Sequence, residues 1–140
     1  MLKFTRRTLA MAMALATALG DLCAADGVVV IGHPALRQLD LETVVKIYTG
    51  KMIQVGNIYV VAVNADVGSN VRERFLQAFL KQDEGKYTGY WRVRRSIGQG
   101  KPPRELPRSI DVINFVNSTP GAIGYISEAD IQPGLNVLLK

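Results

Sequence analysis

The reading of the fold turns on Ile58-Tyr59-Val60-Val61-Ala62-Val63-Asn64-Ala65-Asp66-Val67-Gly68-Ser69-Asn70-Val71-Arg72-Glu73-Arg74-Phe75-Leu76-Gln77-Ala78-Phe79-Leu80. Ile58 to Val63 is short, apolar and rich in β-branched residues. Gly56-Asn57 lies before it and Asn64-Ala65-Asp66 after it, so it reads as a buried strand. Val67 to Asn70 is a turn. Val71, Phe75 and Phe79 then recur every four residues, with Leu76 and Leu80 beside them, which is one face of a helix. Arg72, Glu73, Arg74, Gln77 and Lys81 fill the opposite face. Asn70 followed by Glu73 fits a capping box, placing the helix start at Asn70 or Ser69. A strand, a glycine turn and a helix start direct free N–H groups and the positive helix end into one volume. Gly68, Ser69, Asn70, Val71 and Arg72 are therefore the candidate oxyanion site.

Outward from this unit the chain alternates. Val28 to Ile31 reads as a first strand, closed by Gly32-His33-Pro34. Asp40 caps a helix to about Tyr48, with Leu41, Val44, Val45 and Tyr48 as its buried stripe and Gly50 as its stop. Lys51 to Asn57 reads as a loop. Tyr87, Tyr90, Val93 and Ile97 make the stripe of a third helix, with Trp91 beside it. Arg92, Arg94 and Arg95 decorate that helix; with Lys101, Arg104 and Arg108 they form either a basic patch or a solvated face. Lys101-Pro102-Pro103 opens a stiff loop. A fourth helix follows, with Ile110, Val112, Ile113, Phe115 and Val116 inward. Ala122 to Ile126 and Leu135 to Leu139 complete the strands. Four strands and four helices imply a three-layer α/β/α domain with a mostly parallel mixed sheet.

The first 25 residues read differently. Met1 to Arg7 is basic and Thr8 to Leu19 is apolar, too short to span a bilayer of about 20 residues. Small residues follow at Cys23-Ala24-Ala25. This is the pattern of a secretory signal peptide, cleaved near Ala25, with residues 26–140 as the exported domain in the periplasm. Thr5-Arg6-Arg7 is either a twin-arginine export signal or an ordinary basic leader. Cys23, the single cysteine, lacks the small preceding residue of a lipidated cysteine, since Leu22 stands there. The domain beyond it has no disulfide to rely on and is held by its apolar core. The formal net charge is +5; Lys3, Arg6 and Arg7 against Asp21 account for two of those charges, leaving +3. That suits a small anion or an acidic partner and is no nucleic-acid signature. His33 stands alone beside Gly32 and Pro34, so no metal centre and no catalytic triad is expected, and no enzyme chemistry.

Three stretches resemble one family. Ser118-Thr119-Pro120-Gly121-Ala122-Ile123-Gly124-Tyr125-Ile126 is very like a segment of the periplasmic phosphate-binding proteins of ABC transporters. Leu41 to Lys51 resembles that family's helix ending in Gly-Lys, and Asp66 to Phe75 its Gly-Ser-Gly-Thr-Arg turn. Short exported members share a Tyr-Trp helix and a Gly-x-Gly-x-Pro-Pro loop, compared here with Tyr90-Trp91 and Gly98 to Pro103. The resemblance implies one lobe of a type 2 periplasmic binding protein, a non-enzymatic solute-binding role without cofactor, and phosphate as ligand. Departures fall at the ligating turn: Asn70 replaces a glycine, Val71 the ligating threonine and Ala65 an arginine. Two functions are thus expected to compete. One is weak binding of phosphate or another small oxyanion; the other is an adaptor that kept the fold and contacts a protein partner or a second copy.

Overall fold

The computed structural model describes residues 27–140. The signal peptide expected over residues 1–25 lies outside them. Strand β1 (Val28–Gly32) is followed by α1 (Leu41–Tyr48), a two-stranded hairpin of β2 (Gln54–Val55) and β3 (Ile58–Tyr59), and β4 (Val61–Ala65). Helix α2 (Asn70–Phe75) runs into a π-helical turn, Leu76–Leu80. Then come α3 (Glu84–Ser96), β5 (Arg104–Leu106), α4 (Ser109–Ser118), β6 (Ala122–Ser127) and β7 (Val137–Leu139).

The five-stranded sheet has the order β5-β4-β6-β1-β7. β4 pairs in parallel with both β5 and β6. β1 is antiparallel to β6 and to β7, so four strands share one direction and β1 opposes them. The sheet is the mostly parallel mixed sheet expected. Its two faces bury two cores. Val28 and Val30 pack with α1, α2, the π-helical turn and α3 through Val44, Tyr48, Phe75, Phe79 and Trp91. Val29 and Ile31 pack with α4 through Val112, Ile113 and Val116. The alternation along β1 is the period-two pattern of a strand covered on both sides.

Several expectations need correction. The run Ile58 to Val63 is two strands. The N–H of Val60 donates to Ile53 O in the hairpin (3.0 Å), and that of Val61 to Gly121 O in the main sheet (2.9 Å). The chain changes partners between them, leaving Tyr59 and Val61 exposed. The loop expected over Lys51 to Asn57 contains β2, and the stiff loop after Pro103 contains β5. In α1 Ile47 is buried where Leu41 was expected, and in α4 Ile110 is exposed. In α3 the buried pair is Tyr87 and Trp91, whereas Val93 and Ile97 are each 60% exposed. Tyr87 and Trp91 are one helical turn apart and turn the far end of that stripe away from the sheet.

The glycines of the family-like segment have packing roles. Gly121 has φ 76°, and a Cβ there would collide with the carbonyl oxygen of Tyr59. A Cβ on Gly124 would stand 2.5 Å from Val112 Cγ1, so the bare backbone lets α4 lie down on the sheet.

Candidate functional site

The C-terminal ends of β4 and β5 and the start of α2 meet at the turn 66–69. Ser69 is the helix cap: its Oγ accepts from Arg72 N (3.4 Å) and donates to Asp66 O (2.7 Å). With the cap at Ser69, Arg72 takes the third helical position, and the box expected between Asn70 and Glu73 does not form. Gly68, at φ 85°, makes the turn. The N–H groups of Asn70 and Val71 head the helix with no helical carbonyl behind them. Gly68, Ser69, Asn70 and Val71 are thus brought together around one small volume.

Arg72 is not turned toward that volume. Sequence periodicity puts it on the polar face, yet it is only 5% exposed. Its Nε and Nη2 make a two-pronged contact with Glu84, at 2.8 and 2.6 Å. Its Nη1 donates to Glu105 Oε1 at 3.0 Å and to Ala65 O at 3.1 Å. Burial opposes the charge, but the Glu84 hydrogen bonds and the charges of Glu84 and Glu105 outweigh it and hold the guanidinium above its ordinary value. Its ring neighbour is Tyr87, 5.5 Å from the guanidinium carbon. Two carboxylates on one cation satisfy it fully, which is the condition for keeping a charge inside.

Glu105 does a second thing. The same Oε1 accepts from Val67 N at 2.9 Å. A carboxylate of the protein therefore already occupies an N–H of the turn and one arm of Arg72. Behind it lies a buried polar chain. Asn64, 1% exposed, donates to Tyr87 OH (3.1 Å) and accepts from Tyr125 OH (3.0 Å). Tyr125 OH accepts from Ala65 N, and Tyr87 OH donates to Tyr48 O, each at 3.0 Å. Desolvation pushes the Tyr48, Tyr87 and Tyr125 hydroxyls above their ordinary value. These bonds fix the end of β4 against α3 and β6. Sequence reasoning missed Asn64, Glu84 and Glu105; a polar residue closing an apolar run was the one available signal for Asn64, and the two glutamates had none.

The same architecture recurs in solved receptors. A phosphate transport receptor from Vibrio cholerae superposes with a TM-score of 0.62 at 16% identity, over 81% of this chain and 45% of its own. This is the fold of one part of a phosphate ABC-transporter receptor. A substrate-binding protein of such a transporter from Clostridium perfringens, solved with phosphate bound, gives 0.63 at 21% identity, covering 81% and 44%. PstS from Borrelia burgdorferi gives 0.60 at 21%, covering 81% and 47%. The chain spans less than half the length of these phosphate receptors. Neither a family model nor a curated protein matches the sequence. The described residues contain no group of three metal-ligating side chains, and no helix among them is long and apolar enough to cross a membrane.

The six basic residues read as one patch or one solvated face divide. Arg94 lies over the rings of Tyr90 and Trp91 and donates to Gly50 O (3.3 Å). Arg104 lies over Phe115, and Arg108 pairs with Asp111. Arg92 and Arg95 stand at a cleft of about 460 Å³ beside the turn, and Lys101 is exposed.

Proposed function

We propose that this chain is an exported, non-enzymatic binding domain of the phosphate-receptor fold whose oxyanion position is held by its own Glu105, so that inorganic phosphate binds weakly. The observation that carries this is the shared Glu105 oxygen, which takes both Val67 N–H and Arg72. Replacement of the family's threonine by Val71 and of its arginine by Ala65 points the same way. What remains is an open half-site of backbone N–H groups, the Ser69 hydroxyl and a helix end. Charge-assisted bonds there stay near the low end of about 1.5–3 kcal/mol each, and association costs offset several of those. Calorimetric titration should give a dissociation constant no tighter than about 1 mM, or about −4.1 kcal/mol. Glu105→Gln, which removes the internal anion, should bind phosphate more tightly than wild type. Micromolar binding by the wild-type monomer, or no gain in Glu105→Gln, would overturn the reading.

Exposure of Val93 and Ile97 on α3 favours the second reading, an adaptor that contacts a protein partner. Absence of any oxyanion binding at millimolar concentration, in wild type and in Glu105→Gln alike, would favour it. Export rests on the basic start and the apolar run. Mass spectrometry of the envelope protein should find an N-terminus near Asp26 and no lipid on Cys23; an intact Met1 would refute it.

A further inference from the structure

Between α3 and the segment leading into β5 lies the cleft of about 460 Å³. Tyr87, Trp91 and Pro103 line its apolar part, and Val67 closes the end toward the turn. A volume between about 300 and 1,000 Å³ is that of a small-molecule site and far exceeds what a phosphate ion fills. Arg92 and Arg95 are one helical turn apart on α3, line the same cleft and are exposed. Neither has a carboxylate partner among the described residues. Glu105, the acidic residue in the cleft's lining, is committed to Arg72, whose own charge is also met by Glu84. The uncommitted charge of the cleft is therefore positive and sits at its mouth, while its walls are aromatic and proline carbon.

We propose that this cleft binds a small amphipathic organic anion: an aromatic or acyl body against Trp91, Tyr87 and Pro103, and one anionic head paired with Arg92 and Arg95. Two guanidinium groups one turn apart suit a carboxylate, sulfonate or phosphate monoester. The site does not depend on the weak-phosphate reading, since none of its recognition uses the N–H groups of the turn.

The probe is 8-anilinonaphthalene-1-sulfonate, whose fluorescence reports binding. It should titrate as one site. The double variant Arg92→Gln/Arg95→Gln, altered only at exposed positions, should keep the wild-type melting temperature and bind at least about tenfold more weakly. Salt should weaken the wild type in the same sense, because the head is paired at the surface. N-phenyl-1-naphthylamine, the same body without its charge, should bind both proteins equally. Amide shifts on adding the sulfonate should centre on Tyr87, Trp91, Arg92, Arg95 and residues 102–105. Inorganic phosphate at about ten times the probe concentration should not displace it, whereas 2-naphthoate or laurate should; the stronger competitor identifies the body as aromatic or acyl. Unchanged affinity in the double variant, shifts centred on Val93, Ile97 or the β2–β3 hairpin, displacement by phosphate, or failure of both carboxylates to compete would each overturn the proposal.

Discussion

Arg72 shows how one residue can follow the sequence pattern and still be used differently. Its place on the polar side of α2 is plain from periodicity. Its burial follows from Glu84 and Glu105, which arrive from α3 and β5 and which no local spacing links to it. Glu84 feels the pairing in return. Burial alone would raise its carboxyl, but hydrogen bonds from Arg72 and Thr88 and the Arg72 charge hold it below the ordinary 4.5. A carboxyl lowered in the folded state stabilises above its unfolded value and loses that contribution as pH falls through the folded one. Urea denaturation of the wild type should therefore show stability falling from about pH 4.5 downward. Glu84→Gln should start lower and fall less steeply over that range, and equal slopes would remove Glu84 from the account.

At the scale of elements, the α2 segment is the keystone of the larger core. Phe75 is fully buried, stacked on Tyr125 with ring centroids 3.9 Å apart and met edge-on by Tyr48 at 4.7 Å. Phe75→Ala should cost about 3–5 kcal/mol, read as a shift in the denaturation midpoint; a melt within a degree or two of wild type would contradict the packing. This face was legible because a four-residue recurrence has only one helical meaning, and the π-helical turn beyond Phe75 still buries Phe79 and Leu80. β1, β6 and α1 were legible for similar reasons, as was the turn before α2, whereas the capping box was read on Asn70 and Glu73 and the cap is Ser69. The β2–β3 hairpin was obscured by the unbroken apolar run that follows it. Its own signal was Gly56-Asn57, with Gly56 at φ 61° in the first of two loop positions, where a tight hairpin needs glycine. β5 left little trace: three residues between Pro103 and Pro107 become a strand only because β4 offers a parallel partner. The exposed end of α3 was misread because Val93 and Ile97 fit a stripe whose direction Tyr87 and Trp91 decide.

At the scale of the whole molecule, β1 and β6 send alternate side chains into both cores, so neither core can be lost alone. Unfolding should be a single transition. Trp91, the single tryptophan, reports one face of the sheet, and far-ultraviolet circular dichroism reports both. The two curves should coincide, and separate midpoints would mean that the cores are independent. The position of β1 has a further consequence for how the protein is made. Val28–Gly32 lies between β6 and β7, with Val28 opposite Ser127 and Val30 opposite Leu139. β1 leaves the ribosome before both of its partners and must wait for them. Until then Val-Val-Val-Ile is an unpaired β-forming segment, the kind that seeks edges on other chains. Folding of the sheet during synthesis is thereby postponed until Val137–Leu139 has emerged. Under the export proposed above, the wait that exposes this segment to aggregation would also keep the polypeptide unfolded long enough to be threaded through a translocation channel.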